Sequence, residues 1–164
     1  MDPQGVTDQE FKLFRALIYR LAGINMADSK KPLLTGRLSR RLRHYGLDSF
    51  SAYYKLVTGG GHAEELQLMV DLLTTNETYF FREPAHFDFL RDFAALRRGR
   101  PFRVWSGASS SGEEPYTIAM VLAETLGQSA DWEVIASDIS LTVLERAQAG
   151  LYPMERGRGI PPEL

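Results

Sequence analysis

Residues 103–116 run RVWSGASSSGEEPY, in which a short apolar run, a loop of small residues and a helical pattern follow one another. That order predicts a strand, a tight turn and a helix, which is the first unit of a nucleotide-binding α/β layer. Small side chains between Gly107 and Gly112 let backbone N–H groups approach a ligand, and the next helix points its N-terminus at the same place. The stretch therefore predicts a parallel α/β layer that binds a ligand at this loop.

Two carboxylates after the loop narrow the choice of ligand. Gly107 and Gly112 have the spacing of the phosphate-binding motif GxxxxGK[ST]. Glu113 and Glu114, however, stand where that motif has its Lys and its Ser or Thr. Carboxylates repel a triphosphate, whereas they accept hydrogen bonds from ribose hydroxyls or from an amine. The expected ligand is a nucleoside with an amine or a positive charge, and a loop that serves only as a tight turn is the alternative.

A second apolar run, at residues 132–137, predicts a buried strand that ends at Asp138. In a nucleotide-binding layer, an acid at the end of the second strand commonly accepts hydrogen bonds from ribose hydroxyls. A further helix follows and ends at Gly150, and the tail at 153–164, rich in Gly and Pro, predicts a loop. Asp138 is therefore a candidate ligand residue.

The predicted α/β layer is incomplete. Only two strands are found, near 103–105 and 133–137, whereas a doubly wound domain commonly has five to seven, so we expect an amino-terminal fragment. Both sheet edges would then be exposed, which predicts self-association of the chain through those edges.

Helical spacing dominates the first 75 residues and predicts a compact all-α module. A capping box of Thr7 and Glu10 begins the first helix, and Gly23 ends it. The predicted helices of the module cover residues 7–22, 28–45, 49–58 and 63–73. Beyond the module, Pro84 begins another helix, predicted to reach about Arg98.

The second helix is strongly basic. No acid occurs between Asp28 and Asp48, so the cations of this helix are expected to lack an internal partner and to repel one another. A solvated helix face is one interpretation, and an electrostatic docking surface for an acidic partner is the other. Nucleic acid is less favoured because aromatic residues do not interleave with the charges. The cations of this helix are Lys30, Lys31, Arg37, Arg40, Arg41 and Arg43.

Composition excludes several classes of site. The chain has no Cys, which excludes disulfides and thiolate catalysis, and its three His residues are scattered without metal-ligand spacing. The net charge is −2, there is no run of 18 apolar residues, and the start of the chain lacks a signal-peptide pattern. We therefore expect a cytoplasmic protein with no metal, no membrane insertion and no general affinity for nucleic acid.

Residues 74–84 break the helical period and place three aromatics beside Asn76, Thr78 and Arg82. Packing explains the aromatics, but a guanidinium beside them is expected to need an anionic or planar partner, such as a ligand carboxylate.

Three stretches in this order resemble the CheR-type chemotaxis-receptor methyltransferases: NETYFFR at 76–82, WSGASSSGEEPY at 105–116 and ASDI at 136–139. The resemblance covers essentially the whole chain, and the fold it implies is a small all-α domain followed by an incomplete Rossmann-like methyltransferase domain. The domains expected are a helical receptor-docking domain at 1–75, a linker with a cofactor motif and a connecting helix at 76–99, and a truncated methyltransferase domain at 100–164.

The resemblance also implies an activity. Such enzymes transfer a methyl group from S-adenosylmethionine to glutamate side chains on the cytoplasmic methylation helices of chemoreceptors, leaving S-adenosylhomocysteine. Arg82 is the candidate catalytic residue, either on the methionyl carboxylate or on the incoming glutamate. By motif, the implied cofactor contacts are Asn76, Thr78, Arg82, Glu113 and Asp138, and the implied receptor-docking residues are Arg37, Arg40, Arg41 and Arg43.

Two other functions are set against this one. The chain could serve as a non-catalytic docking or regulatory module that binds an acidic partner through its basic second helix. A dinucleotide oxidoreductase is disfavoured by the Ser-rich loop and the paired glutamates at 113–114. As a fragment, the chain alone is expected to transfer little or no methyl group.

Overall fold

The computed structural model describes residues 5–162, so residues 1–4 of the predicted first domain and 163–164 of the predicted tail loop lie outside it. The chain divides into two compact units, Met1–Thr75 and Asn76–Leu164, and the 76–99 segment belongs to the second. The first unit is helical, and its elements are α1 (Asp8–Ala22), a 3-10 helix (Asp28–Lys30), α2 (Lys31–His44), α3 (Phe50–Thr58) and α4 (Ala63–Leu73).

Local sequence signals account for the start and end of α1. The Thr7 hydroxyl accepts from the backbone N–H of Glu10, and the Glu10 carboxylate accepts from the backbone N–H of Thr7, which confirms the predicted capping box. Gly23 ends the helix in the left-handed conformation, with φ 68°. The apolar face of α1 then packs with the other helices around Phe14, Leu38 and Tyr53, all fully buried.

Cations of the second helix, which has no acid of its own, find partners on other helices. The ammonium of Lys31 donates to Asp8 at 2.6 Å, and Arg41 forms an ion pair with Glu65. The partners come from α1 and α4, so they could not be seen in the sequence of α2 itself. Its first turn also differs from the prediction, because residues 28–30 form a separate 3-10 turn.

The second unit is an α/β layer, whose elements are α5 (Pro84–Ala95), β1 (Phe102–Gly107), α6 (Glu113–Leu126), β2 (Trp132–Ser137), α7 (Leu141–Ala149) and a 3-10 helix (Met154–Gly159). The α5 helix ends at Ala95, three residues before the predicted Arg98. The prediction of a loop for the tail is wrong at 154–159, where contacts with distant residues hold a 3-10 helix in place despite the Gly content.

The two strands are parallel and paired in register from Phe102↔Trp132 to Gly107↔Ser137, with α6 as the crossover. One face of this small sheet packs against α5 and α6. On the opposite face Trp105 is 71% exposed and Ile135 50% exposed. Because the strands are parallel, their carboxyl ends lie side by side, and the loop after β1 meets the residues after β2.

Two observations concern the described part of the chain as a whole. Within residues 5–162, no helix combines the length and the apolar character that crossing a membrane requires. The same residues contain no group of three or more His, Asp or Glu side chains arranged to hold a metal ion.

Candidate functional site

The loop after β1 has an unusual backbone. Ala108 and Ser110 are non-glycine residues in the left-handed region, with φ values of 60° and 49°. The loop is fastened to the end of β2 by a 2.9 Å bond from the Ser109 N–H to the Ser137 carbonyl. Residues held in such conformations cluster at ligand sites, where the surrounding structure stabilises them.

Asp138 stabilises this loop directly. Its Oδ2 accepts from the backbone N–H of Ser110 at 2.8 Å, and its Oδ1 accepts from the backbone N–H of Ser140 at 2.9 Å. The side chain is half-buried at the carboxyl end of β2. Each carboxylate oxygen has two lone pairs, so both oxygens retain capacity to accept a further hydrogen bond.

Gly112 closes the loop and precedes α6. Its φ is 99°, a conformation that L side chains rarely adopt. A Cβ at this position would also lie 2.6 Å from the Tyr152 hydroxyl and 2.9 Å from the Cβ of Ala147. The position therefore requires glycine for its backbone conformation and for the close approach of α7 and the tail.

Glu113, the first residue of α6, is fully buried. Its Oε2 accepts from the Ser111 hydroxyl at 2.7 Å, and its Oε1 forms an ion pair with Nη2 of Arg156. The same Arg156 nitrogen donates to the backbone carbonyl of Thr78 at 2.8 Å. The sequence analysis did not single out Arg156, because the tail was predicted as a loop. The one available signal was that the paired glutamates at 113–114 had no cation assigned to them, while the tail contains basic residues.

Tyr152 joins the tail to the loop. Its hydroxyl donates to the Ser111 carbonyl at 2.6 Å, and its ring packs edge-on against Phe80 at 5.0 Å and Tyr116 at 5.8 Å. Burial, together with the negative charge of Glu113, raises the pKa of Tyr152 to about 12. The phenol is therefore a neutral hydrogen-bond donor at physiological pH.

The 76–82 segment reaches this site through its backbone. The Asn76 carbonyl accepts from the Ser110 hydroxyl at 3.0 Å, and the Thr78 carbonyl accepts from Arg156. Arg82 is exposed and donates to the carbonyl of Glu77 at 2.9 Å. The turn supplies a neutral carbonyl to Arg82, and the ligand carboxylate expected as its partner stays a prediction.

Three of the five predicted cofactor residues, Asn76, Glu113 and Asp138, are bonded to the loop, Thr78 is bonded to the tail, and Arg82 lies on the adjoining turn. Asn76 and Thr78 contact the loop and tail, Asp138 holds the loop, and Glu113 lies beneath the tail.

The predicted docking arginines divide into two pairs. Arg37 donates to the carbonyls of Leu72 and Thr74 at 2.9 and 2.7 Å, where α4 ends. Arg41 is bonded to the buried Glu65, whereas Arg40 and Arg43 are exposed. Arg37 and Arg41 are therefore engaged within the helical unit.

The two units match the two domain models of one family. Residues 9–74 match the model described as CheR methyltransferase, all-alpha domain, and residues 76–164 match CheR methyltransferase, SAM binding domain. The chain belongs to the CheR methyltransferase family. The predicted family and the predicted fold class, an all-α domain followed by part of a SAM-binding domain, are confirmed. The cofactor indicated by the family is S-adenosylmethionine.

Curated relatives agree with this assignment. The chain is 46% identical over 159 residues to the chemotaxis protein methyltransferase of Escherichia coli (strain K12), covering 96% of this chain and 55% of the relative. It is 47% identical over 161 residues to chemotaxis protein methyltransferase 2 of Pseudomonas aeruginosa (96% and 57%) and 35% identical over 167 residues to the Borreliella burgdorferi protein of the same kind (95% and 59%). The chain thus spans little more than half the length of these relatives, and the comparisons lend no support to a separate, non-catalytic docking function.

Proposed function

We propose that the protein to which this chain belongs transfers a methyl group from S-adenosylmethionine to glutamate side chains on the methylation helices of chemotaxis receptors. The observation that carries the proposal is the pairing of Asp138 with the strained loop at the carboxyl ends of two adjacent parallel strands. Open α/β sheets bind nucleosides at this position. Family membership and the chemotaxis relatives support the choice of donor and acceptor.

Different residues of the chain would bind different parts of S-adenosylmethionine. Asp138 has spare lone pairs for the ribose hydroxyls, and the small loop residues leave room for the adenosine. Asn76 and Thr78 lie next to the loop, and Glu113 would meet the amine of the methionyl end. Asp138 can accept hydrogen bonds from the ribose without any rearrangement of this structure. At Glu113, the amine of the ligand would have to replace Arg156.

The proposed reaction does not require these residues to transfer protons. S-adenosylmethionine supplies a methyl group that its sulfonium already activates. A glutamate side chain, with an ordinary pKa of about 4.3, is ionised and nucleophilic at neutral pH. The chain's residues then have to align the two groups and exclude water. Arg82, exposed beside the site, would bind the methionyl carboxylate or steady the incoming glutamate after leaving the Glu77 carbonyl.

Calorimetry with S-adenosylhomocysteine tests the proposed site. We expect Asp138→Ala to weaken binding at least about tenfold, since it removes both the ribose acceptor and a support of the loop. Asp131→Ala is the matched control, an exposed acid one residue before β2. Asp138→Asn separates the two roles, because an amide keeps one acceptor oxygen while losing the charge. Equal binding by wild type and Asp138→Ala would contradict the role given to Asp138.

The acceptor is tested separately, with methyl-labelled S-adenosylmethionine and receptor methylation helices. Base-labile label on receptor glutamates is expected from the longer protein, because methyl esters hydrolyse in base. Base-stable label would instead point to another acceptor atom. The 164-residue chain alone is expected to transfer little label.

A further inference from the structure

Neither carboxylate oxygen of Glu113 is open to a ligand in this structure. The side chain is 1% exposed, Oε2 accepts from Ser111, and Oε1 is ion-paired with Arg156. Within the described residues, Oε1 has no hydrogen-bond partner besides this ion-pair contact. A buried carboxylate without a cation is strongly destabilising, so the Arg156 guanidinium supplies the opposite charge that offsets the burial of Glu113.

Arg156 itself is only loosely enclosed. Its side chain is 45% exposed and extends from the short 3-10 helix of the tail. Its second bond goes to the carbonyl of Thr78. Both partners of the guanidinium, Glu113 and Thr78, are therefore residues that the proposed function assigns to the methyl donor.

We infer that Arg156 acts as an internal cation at Glu113, in the place that the α-ammonium group of the methyl donor takes when it binds. Arg156 thereby sets the affinity of the site for ligands that carry this group. The inference rests on the proposed function. Exchange of one cation for another keeps Glu113 neutralised throughout, so the buried carboxylate is never left alone.

The neighbouring contacts permit this exchange. Tyr152 is bonded to the Ser111 carbonyl and packed against Phe80, so it keeps the tail attached when Arg156 moves. The half-exposed guanidinium regains water when it leaves the carboxylate, which offsets much of the lost ion pair. The ammonium of the ligand then gains a preformed, buried partner.

Two probes distinguish this competition from a general effect on the site. S-adenosylhomocysteine carries the α-ammonium group, and 5′-methylthioadenosine lacks the whole amino-acid end. In calorimetry on the 164-residue chain, we expect Arg156→Met to bind S-adenosylhomocysteine about tenfold more tightly than wild type, with affinity for methylthioadenosine unchanged. Arg156→Lys retains the cation and should remain near wild type, and Arg158→Met is the matched control on the same 3-10 helix.

A measurement on the wild-type protein does not depend on the variants folding. With ¹⁵N-labelled arginine, the chemical shift of the Arg156 side-chain nitrogen should change toward that of a solvent-exposed arginine when S-adenosylhomocysteine is added. It should stay unchanged with methylthioadenosine. An unmoved resonance at saturation, or weaker or equal binding of S-adenosylhomocysteine by a folded Arg156→Met, would overturn the inference while leaving the proposed function standing. If neither ligand binds wild type or Arg156→Met, the proposed function fails and the inference fails with it.

Discussion

Arg41 and Glu65 form a two-bond ion pair that joins α2 to α4, with Nε to Oε1 at 2.9 Å and Nη2 to Oε2 at 2.6 Å. Glu65 is 4% exposed and also accepts from the hydroxyl of Tyr53 at 2.6 Å. Burial alone would raise the pKa of Glu65, but the bonds from Arg41 and Tyr53 together lower it. An arginine predicted to dock a partner is thus ion-paired with a buried acid of the helical unit.

Removal of Glu65 should destabilise the helical unit. Glu65→Ala leaves Arg41 and Tyr53 without their acceptor, and we expect a loss of about 3 kcal/mol in the free energy of unfolding. Urea unfolding at pH 7 measures it. Glu64→Ala, an exposed neighbour on the same helix, is the control and should change stability by less than about 0.5 kcal/mol.

The same pair predicts how stability depends on pH. Because the folded pKa of Glu65 is lowered, its contribution is present above the ordinary carboxyl pKa of about 4.3 and is lost as pH falls through the folded value. Wild type should therefore lose more stability between pH 6 and acid conditions than Glu65→Ala does. Glu10, whose pKa is also lowered, leaves some acid sensitivity in the variant. Parallel stability curves for the two proteins would contradict this assignment.

Receptor docking through α2 should depend on its exposed arginines. We expect Arg40→Glu/Arg43→Glu to weaken binding to an acidic receptor methylation helix about tenfold at low salt, and less at high salt. Titration at two salt concentrations measures this. Lys55→Glu on α3 reverses one exposed charge rather than two and should have little effect. Arg41 is unsuitable for this test, since its substitution would leave the buried Glu65 without its cation and destabilise the helical unit. An affinity unchanged by the double substitution would make these charges an ordinary solvated surface.

Any side chain at Gly112 should distort the loop. Gly112→Ala places a methyl group within 3 Å of Tyr152 and Ala147 at a φ of 99°, and we expect a loss of at least about 2 kcal/mol. Gly36→Ala is the control, since it lies within α2 with open space at its Cβ and should stabilise the protein by about 0.5–1 kcal/mol. Thermal unfolding separates the two, and similar shifts for both would be inconsistent with the described geometry.

Substitution at Ala108 is expected to have the opposite effect on stability. It is exposed with φ 60°, so Ala108→Gly removes a steric cost without removing packing, and should stabilise the protein by about 0.5 kcal/mol. The identical change in the exposed part of α1, Ala16→Gly, should instead destabilise it by about 0.5–1 kcal/mol. Chemical denaturation of both variants checks the signs, and a destabilised Ala108→Gly would argue against strain in the loop.

The exposed sheet face should promote self-association. Trp105 and Ile135 leave an apolar surface on the two-stranded sheet, and we expect light scattering to show association that grows with concentration. Ile135→Lys should reduce it at little cost to folding, because the side chain is half exposed. A chain that stays monomeric at all concentrations would contradict this expectation.

Local signals predicted the elements well because they act over a few residues. The capping box at Thr7, the C-terminal Gly23 and the strand before Asp138 lie close to where their patterns place them. The errors came from partners that are distant in sequence. Arg41 and Glu65 are 24 residues apart, and Arg156 reaches Thr78 across 78 residues, so neither contact leaves a local pattern.

The site shows the same division. The position of Asp138 follows from the strand pattern, but its bond to the Ser110 N–H depends on the pairing of β1 with β2. The burial of Glu113 was not predictable, since the cation that allows it comes from a tail without helical periodicity.

The bond from Ser110 to Asp138 also bears on how the protein is made. The acceptor lies 28 residues further along the chain than the donor. As the protein is synthesised from its amino end, the loop leaves the ribosome before the residue that supports its left-handed backbone. The loop can take its final shape only when β2 has emerged and paired with β1. The candidate site therefore does not exist on the nascent chain until the whole β1–α6–β2 unit has been translated.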